Sequence, residues 1–150
     1  MNVNKAPIKE QLMSSTGDNS PIWNVWFNRV AEILGPGRNV KNVSWSPAIT
    51  GITYSGSGTV TGVYTQNDDI VSVNVIIDAG AGTSTSVLNT TKVTNLPKKA
   101  GAYGSGRVFQ ETGKVDFGSA LIMSGGTELY LPAWSCTGKV IVIANYITSE

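Results

Sequence analysis

The residues of this chain that could carry chemistry are scattered acids, and no histidine accompanies them. Without histidine, Ser-His-Asp and Cys-His catalysis and His-based zinc sites are excluded. Glycoside hydrolysis needs two carboxylates within about 5–10 Å of each other, and the spacing of the acids pairs none of them. We therefore predict that the protein is not an enzyme and binds no cofactor. The acids considered for a carboxylate pair are Asp78, Glu111, Asp116 and Glu128.

Asp68 and Asp69 form the single adjacent acidic pair, and with Asn67 they could offer oxygens to a calcium ion. Calcium takes six or more oxygens, and this stretch lacks the spaced ligands of a calcium loop. We interpret the pair as the solvated turn of a hairpin and predict no metal site.

Three further features of the sequence could carry chemistry but indicate it less clearly: a cysteine, two glycine-rich segments and a pair of lysines. Cys136 is the only cysteine, so no intrachain disulfide forms, and we interpret it as a small buried residue. Residues 101–106 superficially match a phosphate loop, but no helix or P-loop lysine follows, so they are predicted to be an exposed connection, as are residues 80–85. Lys98 and Lys99 could meet lipopolysaccharide phosphates, although a solvated strand edge is the favoured interpretation.

Two aromatic residues are candidates for a ligand contact, because a sugar ring packs on an exposed aromatic face. Tyr103 lies between glycines and is the first candidate. Trp134 is the second, although we favour the alternative that it anchors a core or an interface.

Charge and hydropathy limit the partners. Charged residues make up 14% of the chain and the formal net charge is +1, against a usual charged share of about 25%. A duplex binder would be strongly basic, so no nucleic-acid partner is expected. No run approaches the ~18 apolar residues of a membrane span, and no signal peptide is recognised, so we expect no membrane partner and synthesis in a cytoplasm.

One segment has helical periodicity. Ser20 suits the N-cap, Pro21 the first helical position, and Gly35 followed by Pro36 the end. A helix of this length, about 21 Å, is too short to be stable alone, so its apolar face must dock on another surface. We expect this face to serve attachment or oligomerisation. Its interface residues are Trp23, Trp26, Phe27, Val30, Ile33 and Leu34.

The remainder of the chain has the patterning of strands. Residues 59–64 and 70–77 flank a polar turn, and further short apolar segments follow between Gly, Pro, Asn and Ser clusters. The predicted fold is mainly β, an antiparallel β-sandwich or jelly roll with one N-terminal amphipathic helix. The predicted division is an N-terminal arm and helix at 1–42 and a β-sandwich domain at 43–150.

The order of short motifs over residues 20–150 resembles a recurring phage virion module. In that module a W-x-x-W-F helix precedes a β-domain with a T-x-x-G-x-Y strand, a V-x-V-x-V strand, an N-L-P corner and a closing strand that ends in an aromatic residue. The matching segments here are 23–27, 59–64, 71–75, 95–97 and 140–146.

The resemblance implies a homotrimeric, jelly-roll-like fibre or knob on the tail or head of a virus particle. Its partners would be copies of itself, other virion proteins and a host cell-surface glycan, and its location would be the virion. Two alternatives stay open, a capsid decoration or cement protein with no receptor role and a lectin-like carbohydrate-binding module. A lectin does not need the aromatic residues Trp23, Trp26 and Phe27, whereas a subunit anchored to a particle needs them for its attachment.

Overall fold

The computed structural model describes residues 41–149, nearly all of the compact unit Val40–Glu150. This part of the chain contains strands and loops and no helix, and every strand pairing in it is antiparallel. The prediction of an antiparallel β-fold is confirmed, whereas the predicted helix lies outside the described residues. The strands are β1 (Val43–Trp45), β2 (Ile49–Thr50), β3 (Ile52–Tyr54), β4 (Thr59–Asn67), β5 (Ile70–Ser86), β6 (Lys92–Val93), β7 (Gly104–Gln110), β8 (Asp116–Ile122), β9 (Leu129–Tyr130) and β10 (Trp134–Ile147).

The strands belong to one sheet that curls into a half-barrel. Their order is β1-β4-β5-β10-β7-β8-β9-β6-β2, and β3 pairs with β5 beside this path. The predicted sandwich would instead divide the strands between two sheets. The sheet stays continuous because β5, with 17 residues, and β10, with 14, pair along almost their whole length and carry the ladder through the bend.

Gly51 connects two distant parts of the strand order. It separates β2, which pairs with β6, from β3, which pairs with β5. Its φ of 75° lies in the left-handed region that glycine adopts readily, and a Cβ here would lie 2.7 Å from the carbonyl oxygen of Thr90. A single glycine thus directs the chain from one part of the curled sheet to another.

The core lies on the concave side of the sheet and comes mainly from alternate residues of β5 and β10. Strand periodicity sends every second side chain to the same face. The alternating valines of β5, Val71, Val73 and Val75, are fully buried. The other core residues are Ile77, Val93, Leu96, Ala100, Val108, Ala120, Ile122, Leu129, Leu131, Trp134, Val140, Val142, Ala144 and Tyr146.

The predicted first hairpin is present, with longer strands than expected. Asn67 pairs with Ile70, so Asp68 and Asp69 form a two-residue turn. Asp68 has a φ of 53°, which Asp tolerates better than most residues, and its carbonyl oxygen accepts a hydrogen bond from Gln66 Nε2 at 2.9 Å.

Both predicted glycine-rich connections contain strand. β5 continues through residues 80–86, because Ala79–Gly82 bulges opposite the single residue Gly138 and pairing with β10 resumes at Thr83. β7 already begins at Gly104, where a Cβ would lie 2.6 Å from Tyr146 Cβ. Glycine at this position therefore permits close strand packing, and only residues 101–103 of the predicted loop lie before the strand.

Candidate interaction surface

Each of the acids considered for catalysis has a cation or a backbone amide as its partner. In the described part of the chain, no three Cys, Asp or Glu side chains converge on a point where they could hold a metal ion. Asp116 forms an ion pair with Arg107, Glu128 Oε1 lies 2.8 Å from Lys92 Nζ, Glu111 Oε2 lies 4.0 Å from Lys139 Nζ, and Asp78 Oδ1 accepts from the Gly80 amide at 2.8 Å.

The two candidate ligand contacts, Tyr103 and Trp134, differ in their exposure to solvent. Tyr103 is 69% exposed, immediately before β7. Trp134 is only 5% exposed, its indole Nε1 donates to Ser84 Oγ at 3.0 Å, and its ring stacks on Phe117 at 5.9 Å. Trp134 therefore fits the favoured alternative, a core anchor, and its covered ring offers no platform to a sugar.

Cys136 is half-buried and packs against the core. Burial raises the pKa of its thiol, and a hydrogen bond with Ser84 acts in the opposite direction. The six predicted interface residues of the helix, from Trp23 to Leu34, lie outside the described residues, so their role stays a prediction.

One broad surface is the outer face of the sheet, by which we mean the side of β4, β5, β10, β7 and β8 that points away from the core. Alternation along each strand defines it, since neighbours of its residues are buried in the core. Its side chains are Thr61, Val63 and Thr65 of β4, Ile70, Ser72, Asn74 and Ile76 of β5, Ile141, Ile143, Asn145 and Ile147 of β10, Ser105, Arg107 and Phe109 of β7, and Ser119 and Leu121 of β8.

Register aligns these side chains in rows across the strands. One row runs from Val63 through Asn74 and Ile143 to Arg107 and Ser119. The next row places Ile76, Ile141 and Phe109 side by side, and these three are half-buried. The middle of the outer face is thus an apolar band flanked by Thr, Ser and Asn.

The end of the outer face near the β4–β5 turn has the most exposed apolar side chains. Ile70 is directly opposite Ile147, and both are about half exposed. Tyr103 and Met123 flank the last registered pair of β7 and β8, and alternation points them to the same side. Leu121, 48% exposed, continues the patch along β8.

A groove of about 550 Å³ follows the outer face at β8. Leu88, Leu121 and Met123 provide apolar walls, and Tyr130 stands at its margin. The Tyr130 hydroxyl donates to Glu128 Oε2 at 2.9 Å. Hydrogen bonds from the Lys92 ammonium and the Tyr130 hydroxyl lower the pKa of Glu128. This carboxylate therefore stays ionised at neutral pH and orients the tyrosine.

A second hollow of about 510 Å³ adjoins the groove, because Ser105 and Ser119 line both. Its remaining lining includes Arg107, Ile143 and Asn145. The two hollows together form a shallow channel over β7 and β8 with hydroxyl, amide and apolar groups. Such a lining can contact another protein surface or an uncharged polar ligand.

Sequence reasoning missed the outer face, although a signal was present. Residues 140–144 read Val-Ile-Val-Ile-Ala, an unbroken apolar run instead of an alternation. Such a run indicates a strand with apolar side chains on both faces. Here one face supplies the core, whereas Ile143 on the other remains 42% exposed.

In comparisons with known proteins, no protein-family model, no curated protein and no solved structure matches the chain.

Proposed function

We propose that this protein is a structural subunit of a phage virion, a homotrimeric fibre, knob or decoration protein. Its N-terminal arm and aromatic helix anchor it to the particle, and its jelly-roll-like β-domain projects. The β-domain either contacts the host surface or, in a capsid decoration protein, only reinforces the shell.

The observation that carries this proposal is that the motif strands in the described part of the chain are neighbours: the T-x-x-G-x-Y strand and the closing strand both pair with the V-x-V-x-V strand. Trp45, which precedes these motifs, packs edge-on against Tyr64 of the T-x-x-G-x-Y strand, with ring centroids 6.5 Å apart. A Cβ at Gly62 of that strand would lie 2.7 Å from Trp45 Cε3, so the motif glycine makes room for the indole. Trp45, Gly62 and Tyr64 therefore form one packing unit.

The N-L-P corner joins the same unit. Trp45 Nε1 donates to the carbonyl oxygen of Asn95 at 2.9 Å. The Asn95 side chain accepts from the Ala48 amide at 2.5 Å and donates to the Ser46 carbonyl oxygen at 2.8 Å. Tyr146 of the closing strand bonds to Lys98, immediately after the corner. Trp45 and Tyr146 thus connect the N-L-P corner to the two motif strands.

The distribution of charge supports a structural role over a catalytic one. Each candidate acid is engaged by a cation or a backbone amide. The outer face offers extended apolar area of the kind that soluble proteins bury on association.

Purified virus particles of the source test the virion assignment. We expect the protein in density-purified particles by mass spectrometry, and immunogold labelling at the tail or the capsid would locate it. When the protein carries the replacements Trp26→Ala and Phe27→Ala, it should be absent from the purified particles. Abundant protein in infected cells combined with its absence from purified particles would contradict the proposal.

A carbohydrate-binding module is the second candidate, and the exposed Tyr103 beside the channel over β7 and β8 favours it. A glycan array with the full chain tests this function, with Tyr103→Ala as the matched variant. Binding that Tyr103→Ala abolishes would favour the lectin-like role, whereas no signal above background would exclude it.

A further inference from the structure

We infer that the outer face is the surface through which copies of this chain bind one another. The inference rests on the proposed homotrimer, because it assigns that assembly to a particular surface of the β-domain. The assignment differs from the helix-mediated interface predicted from the sequence. It depends on the polarity, the charge and the size of the outer face.

Polarity is the first step. Val63, Ile143, Ile147 and Leu121 all present aliphatic groups to solvent from adjacent or nearby strands of one sheet. Isolated exposed apolar residues are ordinary, but contiguous ones on one face mark an interaction surface. Thr, Ser and Asn between them supply hydrogen-bonding groups without charge.

Charge is the second step. Arg107 is the one charged side chain among the residues that define the outer face, and it forms an ion pair with Asp116. The apolar band of Ile76, Ile141 and Phe109 contains no charged residue. A surface without net charge does not repel its own copy, and depletion of charge is characteristic of the centre of protein interfaces.

Size is the third step. Three strands of the outer face, β4, β5 and β10, pair over nine residues, and β7 and β8 have seven each. With strands about 4.8 Å apart and about 3.3 Å per residue, they cover about 650 Å². Stable protein–protein interfaces bury about 600–1,000 Å² on each partner. The outer face is therefore large enough for a stable contact with one neighbour.

A lysine scan of the full chain by sedimentation velocity tests the inference. Ile143→Lys and Leu121→Lys each place a charge on the outer face, and we expect the apparent dissociation constant of assembly to rise more than about tenfold. Val43→Lys is the matched control, since Val43 and Ile143 are both 42% exposed. Val43 pairs with Tyr64, whose side chain packs on the core, so Val43 lies on the other side of the sheet.

The outcomes distinguish this inference from the proposed function. Dissociation of Ile143→Lys and Leu121→Lys with retention of assembly in Val43→Lys would support the inference. Assembly of all three variants would overturn it and leave a homotrimer held by other residues. A monomeric wild-type chain at micromolar concentration would overturn both. Circular dichroism and urea unfolding establish that each variant is folded, and Ile143→Thr, which is uncharged, provides a milder replacement that should weaken assembly less.

Discussion

The Tyr146 hydroxyl bonds to both backbone polar groups of Lys98, donating to the carbonyl oxygen at 3.0 Å and accepting from the amide at 3.3 Å. Tyr146 lies near the end of β10, and Lys98 follows the N-L-P corner. The Tyr146 side chain thus connects the loop after the N-L-P corner to the closing strand.

Tyr146→Phe should remove both hydrogen bonds and leave the ring in place. We expect the free energy of unfolding to fall by about 1–3 kcal/mol, because a buried hydrogen-bonding network loses its central group. Urea denaturation monitored by circular dichroism measures the loss. Tyr103→Phe is the control, since its exposed hydroxyl should make no measurable contribution, and equal stability of the two variants would contradict the role of Tyr146.

Tyr146 should also make the stability of the protein sensitive to alkaline pH. Burial raises the pKa of Tyr146 to about 12 from its ordinary value of 10.0, with the Lys98 hydrogen bond acting against the shift. Above pH 10 the unfolded chain releases this proton more readily than the folded chain, so stability is lost as the pH rises from 10 towards 12. The wild type should lose more stability than Tyr146→Phe between pH 9 and 11. Parallel pH profiles for the two proteins would contradict this.

Asn95 should stabilise the corner through its side chain. Asn95→Ala removes the hydrogen bonds to Ala48 and Ser46, and we expect a loss of about 1–2 kcal/mol in the free energy of unfolding. Asn95→Asp keeps an acceptor for the Ala48 amide but places a carboxylate oxygen against the Ser46 carbonyl oxygen, so it should not restore the lost stability. Thermal and urea unfolding would measure both, and an Asn95→Ala variant as stable as the wild type would refute the assignment.

Gly106 should be required by the close approach of β10. A Cβ at this position would press on the backbone of Ile143 and Ala144, and backbone cannot move aside cheaply. Gly106→Ala should cost about 1–3 kcal/mol through overpacking. At the control position Gly56, the nearest atom to an added Cβ would be Gly82 Cα at 3.9 Å, so Gly56→Ala should be nearly neutral. Similar urea midpoints for the two variants would refute this prediction.

Local patterns made part of this fold predictable. The alternation of Val71, Val73 and Val75 indicates a strand with one buried face, and the polar residues before Ile70 indicate a turn. Both features depend on residues close together in sequence, and both are present. The class of fold followed from repeated patterns of this kind.

Long-range contacts made the rest unpredictable. Gly104 and Gly106 resemble loop residues until β10 is known to lie against them, and the curl of the sheet depends on the pairings made on either side of Gly51. The outer face likewise emerges only when register aligns Val63 with Asn74 and Ile143. The periodicity of one strand does not show which strands pair with it. These features therefore become visible only in the folded structure.

Trp134 and Tyr103 should respond in opposite ways to replacement by alanine. Trp134→Ala removes a buried ring stacked on Phe117, and we expect a loss of about 3–5 kcal/mol in the free energy of unfolding. Tyr103→Ala removes an exposed ring and should change stability by less than about 0.5 kcal/mol. Urea unfolding of both variants measures the contrast.

Variants of Tyr103 and Trp134 also distinguish an effect on stability from an effect on ligand binding. If a glycan or another surface ligand binds the full chain, Tyr103→Ala should weaken binding at unchanged stability, because the ring is open to solvent beside the channel. Trp134→Phe, which retains a ring for stacking but loses the bond to Ser84, should bind as the wild type does. Weakened binding by a fully folded Trp134→Phe variant, with no effect of Tyr103→Ala, would reverse the assignment of the two aromatics.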